Sequence, residues 1–153
     1  MRILFVCNAN IVRSFMAERI LQAQLERHNQ EARAAVSSAG LLDMEGALAD
    51  AKARRVLREN GIRDEGHRPR LLKEELVEEA DLIVTMEREQ LRKIREQYPQ
   101  AAGKAMLLTG CMPERERGNA AGDIGDPHRR SLFHYRLCFA EIFLAMEALR
   151  KCI

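Results

Sequence analysis

The first residues able to do chemistry lie close to the amino terminus, where Cys7 is followed six positions later by Arg13 and then by Ser14. Between them run Asn8, Ala9, Asn10, Ile11 and Val12. A guanidinium can grip two phosphoryl oxygens at once. Backbone N–H groups of a tight loop that opens into a helix point inward with partial positive charge. A dianionic phosphoryl group would fit such a cradle. The same surroundings favour the thiolate of Cys7, which would sit under the bound phosphorus as nucleophile, while the Ser14 hydroxyl could stabilise that thiolate when it must leave. Taken alone, a cysteine at the end of a buried strand is a small hydrophobe. The arginine, the serine and a helix start at the observed spacing make that reading the weaker one. The loop lacks the glycines of an ordinary GxxxxGK[ST] nucleotide-binding loop.

The elements that must position these groups follow from patterning. Arg2 to Cys7 (RILFVC) is a short apolar run suited to a strand covered on both faces. From Ser14, a plausible N-cap, to His28, the apolar residues Met16, Ala17, Ile20, Leu21, Ala23 and Leu25 recur at helical intervals. A second strand is expected over Ala32 to Ser38 and a helix from about Ala49 to Asn60, stopped by Gly61. Asp81 to Met86 reads as a third strand, Glu87 to Gln97 as a charged helix and Lys104 to Thr109 as a fourth strand. Residues 110–131 read as a loop containing a short charge run, Glu114 to Arg117, and Leu132 to Arg150 as a last amphipathic helix. Alternating strands and helices imply an α/β class: one three-layer α/β/α domain over residues 1–153, with a parallel sheet of about four strands. Ligands then belong at the carboxyl ends of the strands, the first of which is Cys7.

Composition narrows the partners. The chain has 153 residues, 46% of them hydrophobic, enough for one sizeable core. Its 25 basic and 23 acidic residues leave +2, so no strong field draws it to nucleic acid or to a membrane surface, and none of its apolar runs approaches a membrane span. The amino-terminal stretch reads as neither a signal peptide nor an anchor. Cys7, Cys111, Cys138 and Cys152 are irregularly spaced, with no CxxC pair and no histidine close enough for zinc. A reducing cytoplasm and a site without metal or other cofactor are expected.

Cys7 to Ser14 resembles the C-x5-R-S signature of the low-molecular-weight protein tyrosine phosphatase family, whose members typically read C-x-G-N-x-C-R-S-P. Met16-Ala17-Glu18, Ser38-Ala39-Gly40, Gly61-Ile62, His67-Arg68, Ala80-Asp81 and Asp126-Pro127 fall in family order and spacing, so the likeness covers essentially the whole chain. Asp126 to Ser131 is similar to the Asp-Pro loop of bacterial members linked to exopolysaccharide tyrosine kinases. The resemblance implies that Cys7 attacks phosphorus, that Arg13 and the loop amides from Asn8 to Ser14 hold the phosphoryl oxygens, and that Asp126 protonates the leaving oxygen and then activates water. Asp123 is the alternative acid, without the proline that restricts Asp126. The resemblance further implies that Asn10, Ser14, Ser38 and His67 support the loop, and that Ile11, Met44 and His128 line the substrate cleft. A phosphoprotein substrate follows, possible association with a tyrosine kinase, and a monomer or weak dimer.

The chain departs from the family pattern in places. Val12 stands for the second loop cysteine, so an oxidised Cys7 would have no adjacent resolving thiol. Ala9 replaces the usual glycine, raising the question of whether that backbone position needs positive φ. Phe15 replaces the usual proline and should alter the start of the helix. In the related protein-arginine phosphatases the position of Ile11 tends to carry a smaller threonine, which favours phosphotyrosine here and leaves phosphoarginine as the alternative. A thioredoxin-coupled arsenate reductase is less favoured, because Met86 to Tyr98 lacks the relay cysteines. A phosphate receptor without turnover is the remaining reading.

Overall fold

In the computed structural model, which describes residues 1–116 and 122–153, a parallel four-stranded sheet divides two layers of helices. The strands are β1 (Arg2–Cys7), β2 (Ala35–Gly40), β3 (Leu82–Thr85) and β4 (Ala105–Leu107), in the order β2-β1-β3-β4. β1 is central, pairing from Arg2↔Ala35 to Cys7↔Gly40 on one side and from Ile3↔Leu82 to Val6↔Thr85 on the other. Being covered on both faces, β1 is apolar at every position after Arg2.

The alternation of its side chains sorts the core into two halves. Ile3 and Phe5 join the cluster built on α1 (Arg13–Arg27), α2 (Ala51–Glu59) and α5 (Leu132–Cys152). Leu4 and Val6 join the cluster of Val77 and Ile94, carried by α3 (Glu74–Glu79) and α4 (Arg88–Gln97). The α/β class, the parallel sheet of four strands and the helices on both faces are as expected. Among the described residues no helix is long and apolar enough to cross a membrane.

Several boundaries differ from expectation. β2 begins at Ala35 rather than Ala32, because Glu31–Arg33 forms a 3-10 turn. Ser14 does not cap α1. The helix starts at Arg13, with Val12 in the cap position, and Ser14 turns inward, fully buried. α2 starts at Ala51, capped by Asp50, whose carboxylate accepts from the N–H groups of Lys52 and Ala53. α3 was not expected; EELVEE is too short and acidic to show a helical period. β4 is three residues long, so Leu108 and Thr109, expected in the strand, instead begin a 3-10 turn over Leu108–Cys111, and the segment expected to be loop holds another at Glu114–Glu116. The end of the charge run, Arg117, and the rest of 117–121 lie outside the described residues.

Candidate active site

The carboxyl end of β1 delivers Cys7 into the loop that closes at Arg13, and the loop is bonded from three sides. From the β2 side, the N–H groups of Leu41 and Leu42 donate to the carbonyls of Cys7 and Asn8 at 3.0 and 2.8 Å. Gly40 makes this close approach possible: a Cβ there would lie 2.8 Å from Asn8 O and 3.0 Å from Ala9 C and Asn10 N. From the β3 side, Gln90 Nε2 donates to Asn8 Oδ1 at 3.1 Å while its Oε1 accepts from the N–H groups of Met86 and Glu87. From the α2 side, the N–H of Asp50 donates to Ile11 O at 3.0 Å.

Inside the loop Asn10 takes positive φ, 58°. Ala9 does not, so replacing the family's glycine costs no backbone strain there; the left-handed residue is the asparagine, which tolerates that region. Asn10 is fully buried, and its Nδ2 donates to Ser14 Oγ at 2.8 Å and to Ser38 Oγ at 2.9 Å. An amide nitrogen can only donate. Ser14 therefore uses its own proton elsewhere, and Cys7 Sγ is 3.0 Å away, nearer than the other acceptor in reach, Ala39 O at 3.4 Å. When Cys7 is a thiolate, the Ser14 hydroxyl 3.0 Å away can donate to its sulfur. Ser38 passes its proton bond outward to Glu18 Oε2.

His67 holds the other side of Asn10. Asn10 O can only accept, so the Nε2 found 2.7 Å from it carries the proton and donates. Burial, together with Arg19 and Arg70, holds the imidazole below its usual range against the opposing influence of Asn10 O and Glu18. The ring stacks on Phe15, centroids 4.3 Å apart and planes at 20°. Phe15 is fully buried in regular helix and serves as the platform for a loop-supporting histidine.

Arg13 is buried, 1% exposed, and its guanidinium is held by acceptors on two other segments. Nη1 donates to Glu87 Oε1 and, at 2.9 Å, to Ile124 O; Nη2 lies 3.6 Å from Asp126 Oδ2. The surrounding anions, Cys7 foremost, raise the guanidinium's pKa although burial opposes them. Nε of Arg13 is buried without an acceptor, a donor that a phosphoryl oxygen would satisfy. Asp126 is exposed at the rim above buried Pro127, and its Oδ1 accepts the N–H of His128 at 3.0 Å.

The sequence-derived residues thus fall into three groups. Cys7, Arg13 and Asp126 converge, and Asn10, Ser14, Ser38 and His67 form one network beneath the loop. Asp123 is engaged elsewhere, accepting the Arg88 N–H at the start of α4 at 2.9 Å. Met44 sits half-buried on the segment between β2 and α2. His128 is exposed, with Nδ1 3.3 Å from Asp50 Oδ2, an oxygen that also accepts from Tyr135 Oη at 2.8 Å. Ile11 is half-buried against the core. Sequence reasoning did not single out Glu87 or Gln90, and it quoted Glu18 and Gly40 only as parts of the family pattern, without a role at the site; for Glu87 the available signal was a carboxylate just past the end of a buried strand. Of the remaining thiols, Cys138 is buried, with its pKa pushed up to about 12 chiefly by desolvation, Cys111 is half-buried and Cys152 exposed.

Comparison with known proteins agrees with this geometry. Residues 2–153 match the family described as low molecular weight phosphotyrosine protein phosphatase. A putative low molecular weight protein-tyrosine-phosphatase of Klebsiella pneumoniae is 37% identical over 95% of this chain and 89% of its own. A protein-arginine-phosphatase of Geobacillus stearothermophilus is 32% identical over 98% of this chain and 94% of its own. The crystal structure of the low molecular weight protein tyrosine phosphatase from T. tengcongensis superposes with a TM-score of 0.87 at 32% identity, covering 100% of this chain and 99% of that one. The chain belongs to the low molecular weight phosphotyrosine protein phosphatase family.

Proposed function

We propose that this enzyme hydrolyses phosphotyrosine in proteins through a cysteinyl-phosphate on Cys7. The observation that carries the reading is the junction of a hydrogen-bonded strand-end sulfur with a buried arginine that has an unsatisfied donor and an aspartate beside it. In the first step Cys7 Sγ forms a bond to phosphorus as the bond to the tyrosyl oxygen breaks. Arg13 and the amides of Asn8 to Ser14 hold the non-bridging oxygens, and Asp126 gives its proton to the departing phenolate. In the second step Asp126, now ionised, takes a proton from water as that water attacks phosphorus. Inorganic phosphate leaves, and the sulfur departs as a thiolate stabilised by Ser14 Oγ. Both steps balance with the chain's own groups and water.

Phosphotyrosine is favoured over phosphoarginine by the aliphatic bulk of Ile11 in the loop. Met44 and His128 would flank the ring, Met44 through adaptable apolar contact. A phosphoprotein partner, such as a tyrosine kinase opposed by this enzyme, fits the reading, and four unpaired cysteines fit a reducing cytoplasm. The test is turnover of matched phosphotyrosine and phosphoarginine peptides by the wild type and by Ile11→Thr. The reading expects the wild type to prefer phosphotyrosine by at least tenfold in kcat/KM and Ile11→Thr to narrow the gap. A wild type that prefers phosphoarginine would overturn it.

A further inference from the structure

The carboxyl-terminal helix carries a face that the fold does not use. Phe133, Leu137 and Leu144 are 66%, 48% and 61% exposed, and Ala140 is exposed between them. At 3.6 residues per turn these four lie within an arc of roughly 60°, a continuous apolar stripe on the side of α5 away from Tyr135, Ile142 and Met146. Their spacing of 4, 3 and 4 residues reads the same in both directions. Two such helices laid antiparallel therefore bring Phe133 of each onto Leu144 of the other, with Leu137 and Ala140 meeting at the centre.

A charge lies unused beside the stripe. Glu141 is half-buried, and among the described residues it has no cationic partner in its own chain; burial alone raises its pKa. His134 lies seven residues earlier, two helical turns away, so both flank the stripe on the same side. A two-fold axis perpendicular to antiparallel helices matches like flanks. With the axis midway between Cys138 and Phe139, His134 of one copy falls about 3 Å along the helix axis from Glu141 of the other. Ser131 Oγ lies 2.9 Å from His134 Nδ1; with that hydroxyl donating, or with the ring protonated, Nε2 carries a proton and can donate outward. The exposed Phe133 ring packs edge-on against its own His134, centroids 5.6 Å apart, which joins the apolar and polar parts of this surface.

We propose that this face is a self-association surface on which a second copy of the chain docks by antiparallel two-fold packing of α5, with each Glu141 accepting from His134 of the other copy. The contact is isologous, so it closes at a dimer. One helix face against another lies at the small end of specific interfaces, so association in the range of roughly 10 to 100 µM is expected.

Sedimentation equilibrium of the wild type from about 10 to 300 µM, bracketing that affinity, tests the proposal. The weight-average mass should rise from 17.5 kDa toward twice that value. Leu137→Glu and Leu144→Glu, checked for folding by circular dichroism, should each weaken association at least tenfold. Glu141→Lys should weaken it as well, and the swap Glu141→Lys with His134→Glu should restore it, because the pairing is between copies. A wild type that stays at the monomer mass throughout, or apolar variants that associate as the wild type does, would overturn the surface; a charge swap that restores nothing would overturn the two-fold arrangement. None of these outcomes depends on phosphatase activity.

Discussion

Replacing Gly40 by alanine probes the phosphate-binding loop through a residue that touches no substrate. An alanine Cβ would stand 2.8 Å from Asn8 O and 3.0 Å from Ala9 C and Asn10 N, all backbone atoms, where ordinary contact begins at 3.4 Å. The loop must therefore retreat by about 0.6 Å, the difference between 3.4 and 2.8, at the point where its amides would meet the phosphoryl oxygens. Misplacement by about 1 Å can cost a hundredfold in rate, so Gly40→Ala should lower kcat roughly 10- to 100-fold. Overpacking of this kind also costs about 1–3 kcal/mol of stability. Steady-state hydrolysis of an aryl phosphate and urea denaturation measure the two effects, with Gly103→Ala as the control, since a Cβ there meets nothing within 4 Å. A Gly40→Ala enzyme with wild-type kcat would refute the claim that the β2 terminus shapes the loop.

Glu87→Ala frees one side of the Arg13 guanidinium and removes a charged hydrogen bond of about 1.5–3 kcal/mol; kcat/KM should fall about 10- to 100-fold, with Glu87→Gln losing less, and equal loss in both variants would count against a positioning role. Asp126→Asn should slow hydrolysis of phosphotyrosine peptides about 10²- to 10⁴-fold while scarcely affecting the phosphorylation step with an activated aryl phosphate, because a good leaving group needs little acid help; burst kinetics separate the steps. His67, held below its usual pKa of 6.5 in the folded chain, makes the unfolded state the better proton binder as pH falls beneath that value. Stability should consequently be full above pH 6.5 and decline as pH drops toward the folded-state value, by up to about 1.4 kcal/mol per pH unit. His67→Gln should flatten that slope in urea titrations, and an unchanged slope would assign the effect to other groups.

The sheet was legible because β1 and β3 are buried on both faces and so appear as unbroken apolar runs. β2 was harder to place: AVSSAG has little β-branched or aromatic content, and its limits are set by pairing with β1. α3 offers only Leu76 and Val77 among acidic residues, so packing against the sheet, rather than local pattern, decides it. At the site, Cys7, Arg13 and Ser14 were legible because their spacing is local. Glu87, Gln90 and Glu18 act across strand ends or between β2 and α1, where sequence separation hides the contact. Ser14 shows how a local rule can point to the wrong role: its place near a helix start suggests a cap, whereas its hydroxyl is taken up by Asn10 and Cys7. Phe15 and Ala9, departures from the family pattern, are accommodated because one stacks on His67 and the other avoids the left-handed region that Asn10 occupies.

The most direct test of the mechanism is chemical capture of its intermediate. Acid quenching of the enzyme within milliseconds of mixing with a phosphotyrosine peptide, followed by digestion and mass spectrometry, should find phosphate on the peptide containing Cys7, absent in Cys7→Ser under the same brief mixing; with an activated aryl phosphate, whose leaving oxygen needs little acid help, the captured phosphate should increase in Asp126→Asn, where only the water step is slowed. Continued turnover by Cys7→Ser at the wild-type rate, or phosphate carried on any other side chain, would contradict the account.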